Sequence, residues 1–256
     1  MILAIDIGNT QITIGLYDDQ KLVFVSRLAA DPTHTQDQYA IALKNVMELH
    51  GHSHKDIDGA VVSSVVPSVG HSVCEALQRL CGVKSVEVGP GIKTGLQIAI
   101  DNPAQLGSDL VVGAVAAAAK YPLPAIIFDF GTATKVSVLD EDGCFLGCAI
   151  TAGINMSLEA LSRHTALLPS IVAQKPGNII GKNTVDAMRS GLFFGNVALI
   201  DGMSAHIEKE LGREATVIVT GGLSAFLRDQ PGRSAVFDES LLLDGLRLVF
   251  EMNRPV

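Results

Sequence analysis

Ala125-Ile126-Ile127-Phe128-Asp129-Phe130-Gly131-Thr132-Ala133-Thr134 is the stretch on which the fold turns. Four apolar residues run into a carboxylate, a glycine follows two positions later, and hydroxyl-bearing residues come next. Beyond it Val136 and Val138 alternate with polar neighbours, and Asp140–Gly143 marks a turn. Such a run, break and period-two return predict a strand, a tight turn and a second strand. The chain opens on the same pattern: Ile2–Ile5 is apolar, Asp6 ends it, Gly8-Asn9-Thr10 makes the break, and Ile12, Ile14 and Leu16 alternate. At an offset of 123 positions Asp6 falls on Asp129 and Gly8 on Gly131. A strand-turn-strand unit carrying Asp-x-Gly, once near the start of each half, predicts two related domains.

Working outward, Lys21–Arg27 reads as a third strand and Thr35–His50 as a helix with apolar residues at Tyr39, Leu43, Val46 and Met47. Gly59–Val66 reads as a buried strand, Ser68–Cys81 as a helix capped by Ser68 and closed by Gly82, and Val83–Val88 as a further strand. In the second half an alanine-rich helix around Leu110–Lys120 precedes the strand quoted above. Helices follow at Ile154–Arg163, Thr184–Leu211 and Ser240–Met252, with a buried strand at Thr216–Val219. The expected class is α/β, with mixed sheets flanked by helices. A length of 256 residues suits two domains, 1–119 and 120–256.

Composition narrows the functional classes. A net charge of -8 disfavours binding to a phosphate backbone, so no nucleic-acid partner is expected. Apolar stretches such as Leu110–Ala119 fall short of the ~20 residues a bilayer span needs, and no membrane association is expected. Met1 leads directly into a strand with no basic region or cleavage site, which points to the cytoplasm. The four cysteines, Cys74, Cys81, Cys144 and Cys148, form no Cys-x-x-Cys pair and read as reduced thiols. His50-Gly51-His52-Ser53-His54 reads as a solvated helix end rather than a metal site.

The chemistry sits in the turns. An aspartate holds hydrated Mg2+, a glycine lets backbone N–H groups approach phosphate oxygens, and Asn or Thr side chains add hydrogen bonds. Asp6, Gly8, Asn9 and Thr10 in one copy, and Asp129, Gly131, Thr132 and Thr134 in the other, supply that set. Thr220-Gly221-Gly222, at a strand-to-helix junction, offers further free N–H groups to a nucleotide. Gly177–Thr184 has the look of a P-loop, but its glycine spacing is one short and Asn183 stands where a hydroxyl must meet Mg2+. Gly89–Thr94 lacks a glycine directly before its lysine. The phosphate site is therefore not of the Walker type.

Taken in order, Asp6-x-Gly-Asn-Thr, Asn102-Pro103 leading to Gly107-x-Asp109, Asp129-x-Gly-Thr-Ala-Thr, Gly181-Lys182-Asn183-Thr184 with Ser190-Gly191, and Thr220-Gly221-Gly222 resemble the motifs of type III pantothenate kinases. The resemblance spans residues 1 to about 247. It implies an actin-like fold of two ribonuclease-H-like domains, a homodimer, and ATP-dependent phosphorylation of pantothenate to 4'-phosphopantothenate, the first step of coenzyme A synthesis. It also implies Mg2+ and a monovalent cation, K+ or NH4+. Carried over by position, Asp109 is the general base, and Asp6 and Asp129 organise metal and phosphates. Gly8, Asn9, Thr10, Gly131, Thr132, Thr134, Gly221 and Gly222 line the ATP path. Gly107, Thr165 and Thr184 hold pantothenate, with Thr184 reaching across the dimer. Phosphoryl transfer asks mainly for positioning and charge neutralisation, with an aspartate taking the hydroxyl proton, which suits Asp109.

The chain departs from the family pattern at three places. Leu110 stands where an Arg usually follows the catalytic Asp, Ile100 where a Tyr is common, and Ala152-Gly153 where Pro-Gly is expected. Two alternatives stand beside the leading one: a kinase of this fold acting on another small hydroxyl compound, and a non-catalytic ATP-binding regulator.

Overall fold

The computed structural model describes residues 1–228 and 232–254 and divides into two compact units. The first comprises Met1–Leu96, Asp101–Ala116 and the chain from Leu241 onward; the second comprises Gln97–Ile100 and Ala117–Ser240. The change at 116/117 lies close to the expected boundary, but the C-terminal segment returns to the first unit instead of closing the second.

In the first unit β1 (Ile2–Ile7), β2 (Gln11–Asp18) and β3 (Lys21–Ala29) form an antiparallel meander. β4 (Gly59–Ser64) adds parallel to β1, and the short β5 (Val86–Glu87) adds parallel to β4. The order is β3-β2-β1-β4-β5. Alternation along β1 divides the core: Leu3, Ile5 and Ile7 pack with Tyr39 and Leu43 of α1 (Gln36–Leu49) and Val73 and Leu77 of α2 (Pro67–Cys81). Ala4 faces the other way, with Val111, Val112 and Val115 of α3 (Ser108–Lys120) and Leu243, Leu246 and Phe250 of α6 (Leu241–Asn253). Burying such Leu, Ile and Phe side chains is worth roughly 1.5–3 kcal/mol each, which holds α6 to this unit.

The second unit repeats the plan. β6 (Ala125–Phe130), β7 (Ala133–Leu139) and β8 (Phe145–Ala152) are antiparallel neighbours. β9 (Thr216–Thr220) runs parallel to β6, and β10 (Val236–Phe237) parallel to β9. The order, β10-β9-β6-β7-β8, is that of the first sheet read from its other edge. Ile126, Phe128, Phe130 and Val136 pack against α4 (Ile154–His164) and α5 (Thr184–Leu211) through Ile154, Leu158, Met188, Leu192 and Phe193.

Helix caps follow the sequence with one exception. Thr35 caps α1 in a reciprocal capping box with Gln38, and Asn183 caps α5 through the Asp186 amide. Gly82 and Gly212 close α2 and α5 in the left-handed conformation. Ser68, expected to cap α2, lies inside it: Val66 is the cap residue and Pro67 takes the first turn. Proline has no N–H to satisfy there and brings the helical φ with it. β5 is shorter than Val83–Val88, because only Val86 and Glu87 pair with β4. His50 stacks on Phe24 with ring centroids 4.2 Å apart, so that histidine is a packing residue.

Candidate active site

Asp6 lies at the C-terminal end of β1, half-buried, opposite Thr13 on β2 and Ser63 on β4. Gly8, Asn9 and Thr10 form the turn beyond it, with the Gly8 N–H donating to the Gln11 carbonyl at 2.9 Å. Asp109 arrives from far along the chain in the first turn of α3. Two serines anchor it. The fully buried Ser63 donates through Oγ to Ser108 Oγ at 2.9 Å, and Ser108 Oγ donates to the Ser64 carbonyl at 3.2 Å. The start of α3 is thus pinned to the end of β4, on whose neighbouring strand Asp6 stands.

The carboxylate of Asp109 is oriented locally. Its Oδ1 accepts from the Leu110 N–H at 2.8 Å. A Cβ at Gly107 would stand 2.6 Å from that same oxygen, so a larger residue there would push the carboxylate from this position. These contacts bring Asp6, Gly8, Asn9, Thr10, Gly107 and Asp109 to one end of the first sheet.

In the second unit Asp129 ends β6 as Asp6 ends β1, and Gly131-Thr132 forms the turn. Its environment is different. Lys135 is its register partner on β7, with Nζ 2.7 Å from Asp129 Oδ2 and both side chains largely buried. On the other flank Thr220 pairs with Asp129 along β9. Gly221 follows with φ 94°, a conformation few residues but glycine adopt, and a Cβ there would stand 2.5 Å from Asp129 Oδ1. Gly222 is exposed beside it. Thr134 is wholly buried, and its Oγ1 makes no hydrogen bond among the described residues; Thr220 Oγ1 and Ser224 Oγ are in the same condition.

Helix α4 links this turn to a groove. Its N-cap is Gly153, no side chain caps it, and a Cβ on Gly153 would fall on the Thr132 carbonyl oxygen. The positive end of the helix dipole therefore abuts the Gly131-Thr132 turn, a favourable place for an anion. Ser157 and Leu161, one and two turns further along α4, line a groove of about 810 Å³ with Lys182, Asn183, Thr184, Ala187, Gly191 and Asn196. The Ser190 hydroxyl donates to the Ile179 carbonyl and ties the 177–183 loop to α5. Thr184 thus faces the groove. Thr165 stands exposed at the C-terminal end of α4, its hydroxyl donating to the Leu161 carbonyl at 2.8 Å.

Comparison with known proteins settles the family. The family model for type III pantothenate kinase matches residues 2–206. The chain belongs to the type III pantothenate kinase family. A family member from Exiguobacterium sp. (strain ATCC BAA-1283 / AT1b) is 43% identical over 254 residues, covering 99% of this chain and 100% of that one. Members from Listeria monocytogenes serotype 4a and Halalkalibacterium halodurans are 40% and 41% identical, over 100% and 99% of this chain and 98% and 100% of their own. Among solved structures, the activator of the 2-hydroxyisocaproyl-CoA dehydratase from Clostridium difficile, with ADPNP bound, superposes with a TM-score of 0.56 at 13% identity. It covers 98% of this chain and 95% of its own. Component A of the Acidaminococcus fermentans (R)-2-hydroxyglutaryl-CoA dehydratase gives 0.52 at 16% identity, with 98% and 96% covered. The expected duplicated, actin-like architecture is the observed one.

Three residues of these clusters are not in the motif set: Ser63, Ser108 and Lys135. The signal for Lys135 lies just beyond the Asp129–Thr134 motif. Val136 and Val138 alternate inward, so a short turn puts Lys135 on the same face as Asp129.

Proposed function

We infer that this chain is an ATP-dependent pantothenate kinase that forms 4'-phosphopantothenate, the opening step of coenzyme A biosynthesis. The full-length match to type III pantothenate kinases carries the reading, and the serine bridge that holds Asp109 at the end of β4 gives it a physical basis.

In this reading Asp109 accepts the proton of the primary hydroxyl as its oxygen attacks the γ-phosphorus in line. Gly107 leaves the space that the carboxylate needs. Gly8, Asn9 and Thr10 offer N–H and side-chain donors of the kind phosphate oxygens take, and the turns at Gly131-Thr132 and Gly221-Gly222 offer a set of the same kind. Thr134 and Thr220 stand behind the second turn as buried hydroxyls. The groove along α4 and α5, with Thr184 in its lining and Thr165 at the end of α4, is the proposed acceptor side.

A divalent metal belongs to ATP chemistry, and the residues around Asp6 fit Mg2+. The flanking register partners, Thr13 and Ser63, are oxygen donors, the kind that ion takes. Among the described residues no group of three or more His, Cys, Asp or Glu side chains forms a metal cage. Asp6 would therefore share the ion with substrate phosphates, whose charge the metal offsets. Asp129 does not fit a metal in the same way, because the Lys135 ammonium stands against its carboxylate.

We also propose a homodimer in the cytoplasm. Exposed apolar side chains at Ile150 on the edge strand β8, and at Leu167, Val172, Ile179 and Ile180 in the segment between α4 and α5, are what a second copy would cover. Among the described residues no helix is long and apolar enough to cross a membrane.

A second reading draws on Leu110 and Ile100, which supply neither the cation nor the phenol that the family pattern has at those positions. It is a kinase of this fold whose acceptor is another small hydroxyl compound. Coupled ADP release by the purified protein with Mg-ATP, comparing pantothenate with a panel of small hydroxy acids, tests both. Pantothenate as the best acceptor by kcat/KM is expected; a different best acceptor would replace the first reading with the second.

A further inference from the structure

The Asp129 site holds a cation of its own. Lys135 Nζ and Asp129 Oδ2 are 2.7 Å apart, and the side chains are only 16% and 12% exposed, so this is not a solvent-screened surface pair. The hairpin enforces the contact. Phe130 pairs with Thr134 and Asp129 with Lys135, which puts the ammonium on the carboxylate's own face of the sheet. Gly221 closes in from β9, and any side chain there would strike Asp129 Oδ1. A dissolved K+ or NH4+ approaching this carboxylate would meet a group of its own charge already seated. The seated group is also tethered, so it competes at the high effective concentration of an intramolecular partner.

We propose that Lys135 is the resident monovalent cation of the Asp129 site, so that nucleotide binding and phosphoryl transfer proceed without dissolved K+ or NH4+. Its charge stands beside Asp129, one register pair along the hairpin from the Phe130–Thr134 pair that borders the Gly131-Thr132 turn, and attracts an anionic oxygen there. Lys135 is in this sense a ligand-binding residue, and Asp129 is the group that positions it. The proposal rests on the reading of that turn as a phosphate site.

The test uses the full chain, freed of K+ and NH4+ by exchange into tetramethylammonium chloride, an ion too large for such a site. Mg-ATP binding is followed by calorimetry and turnover with pantothenate by ADP release, each with K+, NH4+ or tetramethylammonium at constant ionic strength. The native chain is expected to show the same affinity and rate in all three salts within about twofold, the residue of general screening. Lys135→Met is expected to lose about tenfold or more in Mg-ATP affinity in tetramethylammonium, the cost of a lost charge-assisted contact, and to recover part of it with K+ or NH4+. Lys135→Arg, which keeps the charge, is expected to stay indifferent to the salt.

A native chain whose Mg-ATP affinity or turnover rises more than about tenfold when K+ or NH4+ replaces tetramethylammonium would overturn the proposal, whether or not Lys135→Met folds. A native chain that binds no Mg-ATP in any of the salts would instead remove the phosphate-site reading beneath it. Calorimetry without acceptor separates both results from a mistaken choice of acceptor.

Discussion

The two Asp-x-Gly turns stand on sheets of the same strand order, yet one loop residue separates their chemistry. Residues 8–11 lie between the last paired positions of the first hairpin, Ile7 and Ile12, whereas only 131–133 lie between Phe130 and Thr134. The extra residue in the first turn sets Thr13 opposite Asp6; the shorter second turn sets Lys135 opposite Asp129. A hairpin's register is set by its loop, and a shift of one position exchanges the faces of the strand. Duplication therefore preserved the carboxylate and changed what faces it: a hydroxyl in one unit, an ammonium in the other. The first turn suits a hydrated divalent ion, and the second is neutralised from within.

Substitutions sharpen this contrast. The largest effect is expected at the residue that has no counterpart in the second turn. Asp109→Asn should lower turnover by about 10²–10⁴, because an amide cannot take the hydroxyl proton, while the melting temperature stays close to native. Near-native turnover would remove Asp109 from the mechanism.

Asp129→Ala comes next and should act on two readouts together. It removes a carboxylate partner from a largely buried ammonium, and the loss of one charge-assisted contact typically costs about 1.5–3 kcal/mol of stability. It should also raise the KM for ATP far more than the KM for pantothenate. Thermal melts and the two KM values check this; a variant with native stability would show that the Lys135 pair is not held in solution. Asp6→Asn should differ in kind, raising the Mg2+ concentration needed for half-maximal rate. If Asp6→Asn and Asp129→Ala respond to Mg2+ alike, the contrast between the turns fails.

Smaller effects are expected behind Asp109. Gly107→Ala places a methyl against its carboxylate and should reduce kcat by about tenfold, since misplacing a catalytic group by a fraction of an ångström is costly. Ser63→Ala removes one hydroxyl from the bridge to Ser108 and should cost about 1 kcal/mol in a chemical melt, with a several-fold drop in kcat.

The smallest effect on turnover is expected at Asp238, outside both turns. Burial alone would raise its carboxyl, but hydrogen bonds from Lys120 and Tyr121 outweigh it and hold the group below its ordinary value. Stability from this lowered carboxyl is present above the ordinary carboxylate range and lost as pH falls through the lower folded value. Asp238→Asn should flatten that part of the acid limb of a pH-stability curve and leave kcat unchanged.

Much of this is legible in the amino-acid sequence alone. The helix expected at Thr184–Leu211 forms over those bounds, because Asn183 and Gly212 punctuate it at both ends. The paired motifs located Asp6 and Asp129 on their strand ends through the apolar runs before them. What escaped depends on partners distant in sequence. α6 leaves the second half for the first because Leu243, Leu246 and Phe250 fit the face of Ala4 and Val61, and nothing local announces that destination. β8 carries no clear strand signal, since Gly147, Cys148 and Ala149 blur its alternation. The Ser63 to Ser108 bridge joins residues 45 apart, and neither serine is conspicuous alone.

The central claim is that Asp109 directs the γ-phosphoryl group of ATP onto the primary hydroxyl of pantothenate, and phosphorus NMR of the reaction mixture tests it most directly. With purified protein, Mg-ATP and pantothenate, the account expects a phosphomonoester signal split by the neighbouring CH2, growing in step with ADP and missing from the Asp109→Asn sample. ADP accompanied only by inorganic phosphate, or an equal phosphomonoester signal from the Asp109→Asn protein, would contradict it.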